Sequence, residues 1–238
     1  MRPARLFAAL LSFSLISLPA GLVGASSASA AESIPTRVEM QASAGKLVHD
    51  TPYEIVGDVV ATLPDGSDVR VPDGEAKLQR KFRGKTSWRT LATAPADETF
   101  RFSTRAVANA TYRVVYSGGS VTDETTGTAY AFEPSQASKN LWVARDLNAR
   151  DVQPTPNRYF VKGNVNPGWG RKIVKFERKT CKKCSWKVYA RQRTTRTGAY
   201  RFPVDFPRPG RAWFYRVVVP KTTSHIKSTS QIFRAVTY

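Results

Sequence analysis

The stretch Lys77–Ala92, KLQRKFRGKTSWRTLA, returns without a gap 98 residues later at Lys175–Ala190, KFERKTCKKCSWKVYA. Lys77, Arg80, Lys81, Lys85, Ser87, Trp88 and Ala92 meet Lys175, Arg178, Lys179, Lys183, Ser185, Trp186 and Ala190, seven identities in sixteen positions. A period near one hundred residues is the size of one β-sandwich unit, so the chain reads as the same unit built twice. The match continues on both sides. Tyr53–Val59 (YEIVGDV) aligns with Tyr159–Val165 (YFVKGNV), Phe100-Arg101-Phe102 with Tyr200-Arg201-Phe202, and Tyr112–Val115 (YRVV) with Tyr215–Val218 (YRVV). The offset changes only at Gly, Pro and Asp clusters such as Leu63–Gly66 and Pro207–Gly210, where loops absorb insertions. The predicted units are 31–142 and 143–238.

Residues 1–30 carry the marks of a cleaved signal peptide. Arg2 and Arg5 open it, Leu6–Leu18 is an apolar run, and Ala28-Ser29-Ala30 supplies the small residues that signal peptidase needs. The run is short for a membrane span, and no later segment is long and apolar enough for one. The expected product begins near Ala31, is secreted and soluble, and is either free outside the cell or associated with the cell wall. No cysteine lies near the cleavage site to carry a lipid.

In the mature chain, Val, Thr, Tyr and Phe runs are punctuated by turn residues roughly every ten positions, which predicts strands throughout. Alternation along each strand then sorts the side chains. Val174, Phe176, Trp186, Val188, Ala190, Tyr200, Phe202, Val204, Tyr215, Val217 and Val219 are expected inside the second unit. Ala76, Leu78, Trp88, Tyr112 and Val114 are expected inside the first. On this reading both Trp88 and Trp186 are core residues.

The order of these blocks resembles bacterial immunoglobulin-like repeat domains of secreted proteins, themselves similar in architecture to fibronectin type III modules. The resemblance implies an all-β fold of two tandem immunoglobulin-like sandwiches. It also implies a binding, spacing or adhesion role outside the cell, and it brings no catalytic residue with it.

Cys181 and Cys184 are the only cysteines. A redox pair would want a helix N-terminus beneath the first thiol. A zinc site would want two more ligands, and His49 and His225, the only histidines, stand at no ligand spacing. Free thiols are disfavoured by export, which leaves a disulfide stapling a hairpin loop. The aligned positions in the first unit are Arg83 and Thr86, so the staple is expected to be local. No catalytic, phosphate-loop or metal motif stands out, and no cofactor is implied. The two histidines are expected in solvent. The cluster Asp65, Asp68, Asp73 and Glu75 reads as a solvated turn, with calcium as the rival reading.

Charge is the feature that bears on function. Residues 31–142 carry 13 Lys and Arg against 14 Asp and Glu, while residues 143–238 carry 22 against 4, a net of +18. A single-signed surface of this kind repels itself and attracts polyanions. Strand parity predicts Lys175, Lys187, Arg191, Arg193, Arg201 and Arg216 on one outward face with Tyr189 among them, and Lys182 and Lys183 at the loop tip. The expected function is non-enzymatic association with an anionic cell-envelope polymer or another extracellular polyanion. The rivals are an adhesin-like module that binds a protein partner through the first unit, and a hydrolase with an unrecognised site. Sequence-specific nucleic-acid binding is not expected, because no groove-reading helix is present.

If residues 1–30 are a cleaved leader, mass spectrometry of the exported protein will find an N-terminus within a few residues of Ala31. Intact Met1 in a membrane fraction would instead show a retained anchor.

Overall fold

The computed structural model describes residues 31–156 and 158–237, and the expected signal peptide lies outside the described residues. The chain is all-β, with no helix among the described residues, and none therefore that could cross a membrane. The first twelve strands are β1 (Glu32–Ile34), β2 (Thr36–Ala42), β3 (Lys46–Val48), β4 (Pro52–Thr62), β5 (Asp68–Arg70), β6 (Glu75–Phe82), β7 (Arg89–Pro95), β8 (Phe100–Arg105), β9 (Ala110–Tyr116), β10 (Gly119–Thr122), β11 (Ala129–Phe132) and β12 (Ser135–Ala144). The remaining eight are β13 (Arg150–Thr155), β14 (Arg158–Asn164), β15 (Ile173–Lys179), β16 (Lys187–Arg193), β17 (Ala199–Pro203), β18 (Ala212–Val219), β19 (Ser228–Thr229) and β20 (Phe233–Val236).

Two hydrophobic cores form, and corresponding strands surround each. The first lies between β2-β4-β8 and β12-β9-β6-β7; the second lies between β13-β14-β17 and β20-β18-β15-β16. Register matches as well as order: Val56 of β4 opposes Arg101 of β8, and Lys162 of β14 opposes Arg201 of β17. Gly57 and Gly163 occupy one position in this scheme. A Cβ on either would strike a neighbouring backbone carbonyl, Glu39 in one case and Leu147 in the other. Close approach of the strands therefore requires glycine there.

Alternation sorts most of the expected core correctly. Val174, Phe176, Tyr215, Val217 and Val219 are at most 1% exposed, as are Ala76, Leu78, Tyr112 and Val114. Phe176 stacks on Phe202 at 4.8 Å and on Tyr215 at 5.0 Å. Each such ring contributes roughly 1.5–3 kcal/mol by leaving water. Val143, expected to open the second unit, is fully buried in the first core.

Asn109, 2% exposed, joins the two cores. Its Nδ2 donates to the carbonyl of Thr223 at 3.0 Å, and its backbone N–H to that of Ser224 at 2.8 Å. Its Oδ1 accepts from the Val143 N–H at 2.8 Å. Beside it sits His225, 4% exposed, its ring 5.9 Å from that of His49. This corrects the expectation of a solvated His225: the loop that carries it is pressed against the first half of the chain. Its Nδ1 meets Ser224 Oγ at 3.0 Å, while Nε2 has no hydrogen-bond partner among the described residues.

His225 is held down to about 4, first by burial and then by the positive charge of Arg145 and by His49. A histidine in the unfolded chain titrates near 6.5, so between those values the unfolded state binds a proton that the folded state refuses. Stability contributed by the neutral ring is complete above pH 6.5 and is lost as pH falls through 4, at most about 3 kcal/mol. Melting measured from pH 7 to pH 4 should therefore fall more steeply in the wild-type chain than in His225→Gln. Equal slopes would refute a buried neutral His225.

Candidate anion-binding surface

The outer face of the β15–β16 hairpin is set by one irregularity. Phe176 opposes Ala190, but Glu177 opposes Val188, so Tyr189 is an extra residue in β16. The first half has the same bulge: Leu78 opposes Ala92 and Gln79 opposes Thr90. An inserted residue reverses the in–out order beyond it. Four expectations are overturned by this shift, that for Lys187 among them. Tyr189, expected outward, packs on the second core against Phe176 and Tyr215. Its hydroxyl donates to Asp205, and that bond and burial push it up to about 12. Val188, expected inward, is 41% exposed. Trp186 and Trp88 leave the core for the outer surface.

Both tryptophans are held there in the same way. Trp88 lies under Lys81 at 4.7 Å and Arg113 at 4.1 Å, and Trp186 lies under Lys179 at 5.1 Å and Arg216 at 4.2 Å. Arg113 donates to Gln79, and Arg216 donates to Glu177, each at 2.8 Å. The indole is a plate that pins two cations onto the sheet. Trp186 therefore carries charge outward and does not fill the core.

The other predicted residues divide between faces. Lys175 is directly opposite Arg191 on the outer face of β15–β16, and Arg193 is opposite Ile173 beside them. Arg193 is steadied by donating to the Arg171 carbonyl at 2.8 Å. Arg216 shares this face but is ion-paired to Glu177 at 2.7 Å, so its charge is neutralised in place. Lys187, expected on the outer face beside Lys175, is displaced by the same bulge: it opposes Arg178, on the Phe176 side of the hairpin, and stays exposed at the strand end. It borders an open groove of about 600 Å³ with Lys179, Tyr189 and Cys184. Lys182 and Lys183 are exposed at the loop tip, where the Lys182 carbonyl accepts from Lys179 Nζ at 2.8 Å. Arg201 is not on this surface. It belongs to β17 in the opposite sheet, so the single continuous basic face expected from strand parity is two faces.

The first half shows what the same positions look like without excess charge. Where β6–β7 has Glu75, Lys77, Thr93 and Pro95, β15–β16 has Ile173, Lys175, Arg191 and Arg193 in identical register. Lys77 is paired to Glu75 at 3.1 Å, and its counterpart Lys175 has lost that carboxylate. Among the described residues seven ion pairs form, and only Arg216–Glu177 is in the second half.

The acidic cluster in the first half does not converge. Asp65 accepts from Ser67, Asp68 pairs with Arg37, Asp73 accepts from Ser120 N–H, and Glu75 pairs with Lys77. Among the described residues no group of three potential metal ligands comes together. No protein-family model matches the chain, and no curated protein is significantly similar to it.

Cys181 and Cys184 are joined in a disulfide with a Cα–Cα distance of 5.1 Å, closing the β15–β16 loop. So short a loop removes little chain entropy, on the order of 2 kcal/mol or less. Cys181→Ser/Cys184→Ser should therefore stay folded by circular dichroism, with a modestly lower melting temperature. A double variant unfolded at 25 °C would mean the second core depends on the staple.

Proposed function

We propose that this chain is a secreted, non-enzymatic binding protein made of two immunoglobulin-like sandwiches, with a basic second half that associates with anionic polymers of the cell envelope. The observation that carries this reading is the comparison between halves. The same strands in the same register carry paired charge in the first half and unpaired positive charge in the second. Charge that only kept the protein soluble would not need one sign, and self-repulsion of that sign costs stability. The presence of Lys175, Arg191 and Arg193 on one face supports contact with a repeating anion. Lys182 and Lys183 extend the positive potential over the loop.

Contact with a dense polyanion releases its condensed counterions, so affinity should fall log-linearly with salt. Binding of the mature chain to a soluble heparin-like or polyol-phosphate polymer, followed by calorimetry from 50 mM to 1 M salt, tests this. Lys175→Gln/Arg191→Gln/Arg193→Gln should weaken binding roughly ten-fold at low salt and flatten the slope. Its melting temperature should be unchanged or higher. Binding that survives molar salt, or responds only to substitutions in residues 31–142, would transfer the function to a protein partner of the first half.

A further inference from the structure

The sheet opposite the β15–β16 hairpin carries a second positive site that the strand pattern around the central repeat does not reach. Arg150 of β13 directly opposes Lys162 of β14, and Lys162 directly opposes Arg201 of β17. Three positive side chains thus stand in one row across three strands, with neighbouring Cβ atoms about 5 Å apart. Like charges placed directly opposite destabilise a sheet. None of the three has a carboxylate within ion-pair range among the described residues.

The fold does not require this row. In the first half the same register positions are Gln41, Val56 and Arg101, so two neutral residues stand where Arg150 and Lys162 stand. Arg101 is neutralised by Glu54 at 2.5 Å, and Asp58 nearby is paired with Arg70 at 2.6 Å. The counterparts of Glu54 and Asp58 are Phe160 and Asn164. On this face positive charge is added and negative charge is absent, position by position. Phe160 in place of Glu54 has a further effect: the Arg201 guanidinium lies over its ring at 3.7 Å, which holds the fork in place and leaves its charge unmatched.

Arg150, Lys162 and Arg201 border an open groove of about 670 Å³, together with Asn148 and Asn164. The residues that border the groove thus carry two guanidinium forks, one ammonium and two carboxamides, with the Arg201 fork held over Phe160 at the end of the row. Guanidinium forks match the oxygen geometry of phosphate. A row spanning two strand spacings, about 10 Å, is longer than one phosphate group and fits two or more in sequence.

We infer that the row Arg150–Lys162–Arg201 is a binding site for closely spaced phosphate groups, as found in a polyol-phosphate polymer or in free polyphosphate. This rests on the polyanion reading above and assigns it to a site on the opposite sheet from Lys175 and Arg191.

The test compares variants of the whole mature chain. Arg150→Gln/Lys162→Val installs the residues that the first half already carries in this register, so the sheet should tolerate it. Relief of repulsion should raise its melting temperature by roughly 2–4 °C. Poly(glycerol phosphate) and tripolyphosphate should both shift the amide resonances of residues 150, 162 and 201 in the wild-type protein. The double variant should bind the polymer at least ten-fold more weakly. Phe160→Glu, which returns a carboxylate beside Arg201, should weaken binding without removing any positive charge. Shifts with tripolyphosphate alone would uphold the site and assign it to free polyphosphate. If the double variant binds the polymer as the wild type does, and only Lys175→Gln/Arg191→Gln/Arg193→Gln loses affinity, the row is not a site and the general polyanion reading stands. No binding of either phosphate by the wild-type chain overturns both.

Discussion

Residues directly opposite one another on paired strands share a face, and this constraint governs what the chain can present to its surroundings. Two arrangements follow from it here. A bulge after Phe176 turns Trp186 outward and Tyr189 inward. An unbroken ladder through Arg150, Lys162 and Arg201 lines three positive charges into one row. Neither arrangement depends on a special side-chain interaction. Backbone pairing sets both, and the side chains take what the register leaves them.

The cost of the positive second half is met within each face. On the β15–β16 side, Trp186 spreads beneath Lys179 and Arg216, and Glu177 neutralises one of them. On the β13–β14–β17 side no carboxylate does so among the described residues, and the ring of Phe160 steadies Arg201. Stability comes from elsewhere: the stacked Phe176, Phe202 and Tyr215, and the buried junction where Asn109 bonds to the chain at Thr223, Ser224 and Val143. At that junction His225 is neutral near neutral pH, because burial and the positive charge of Arg145 both disfavour its proton.

Having the same strand arrangement twice in one chain provides an internal control for function. The first half holds its strands in the same register with Glu39, Glu54, Asp58 and Glu75 along the faces where the second half has none of them. Ordinary surface solubility accounts for the first pattern, in which charges of both signs are interleaved and paired. It does not account for the second, in which paired acids are missing at the positions where bases are retained or added. The excess charge is thus separable from the requirements of folding, which is the ground on which we propose it as the means of binding.

The repeat, the all-β class and the inward residues of strands without irregularity were legible in the sequence, because alternation and turn chemistry act over a few residues. Val174, Phe176, Phe202 and Tyr215 were reachable in that way. The signal for the bulge was present as well, since both copies place Trp three residues before the extra residue, but alternation alone reads through it. Three matters were decided only in three dimensions. His225 is buried because its loop meets Asn109, more than a hundred residues away in the chain. Arg201 lies apart from Lys175 because β17 joins the other sheet. Arg150 and Lys162 meet across a local hairpin, but Arg201 completes the row only because β17, separated from β14 by two strands in the chain, pairs with it in that register, which the tertiary fold decides.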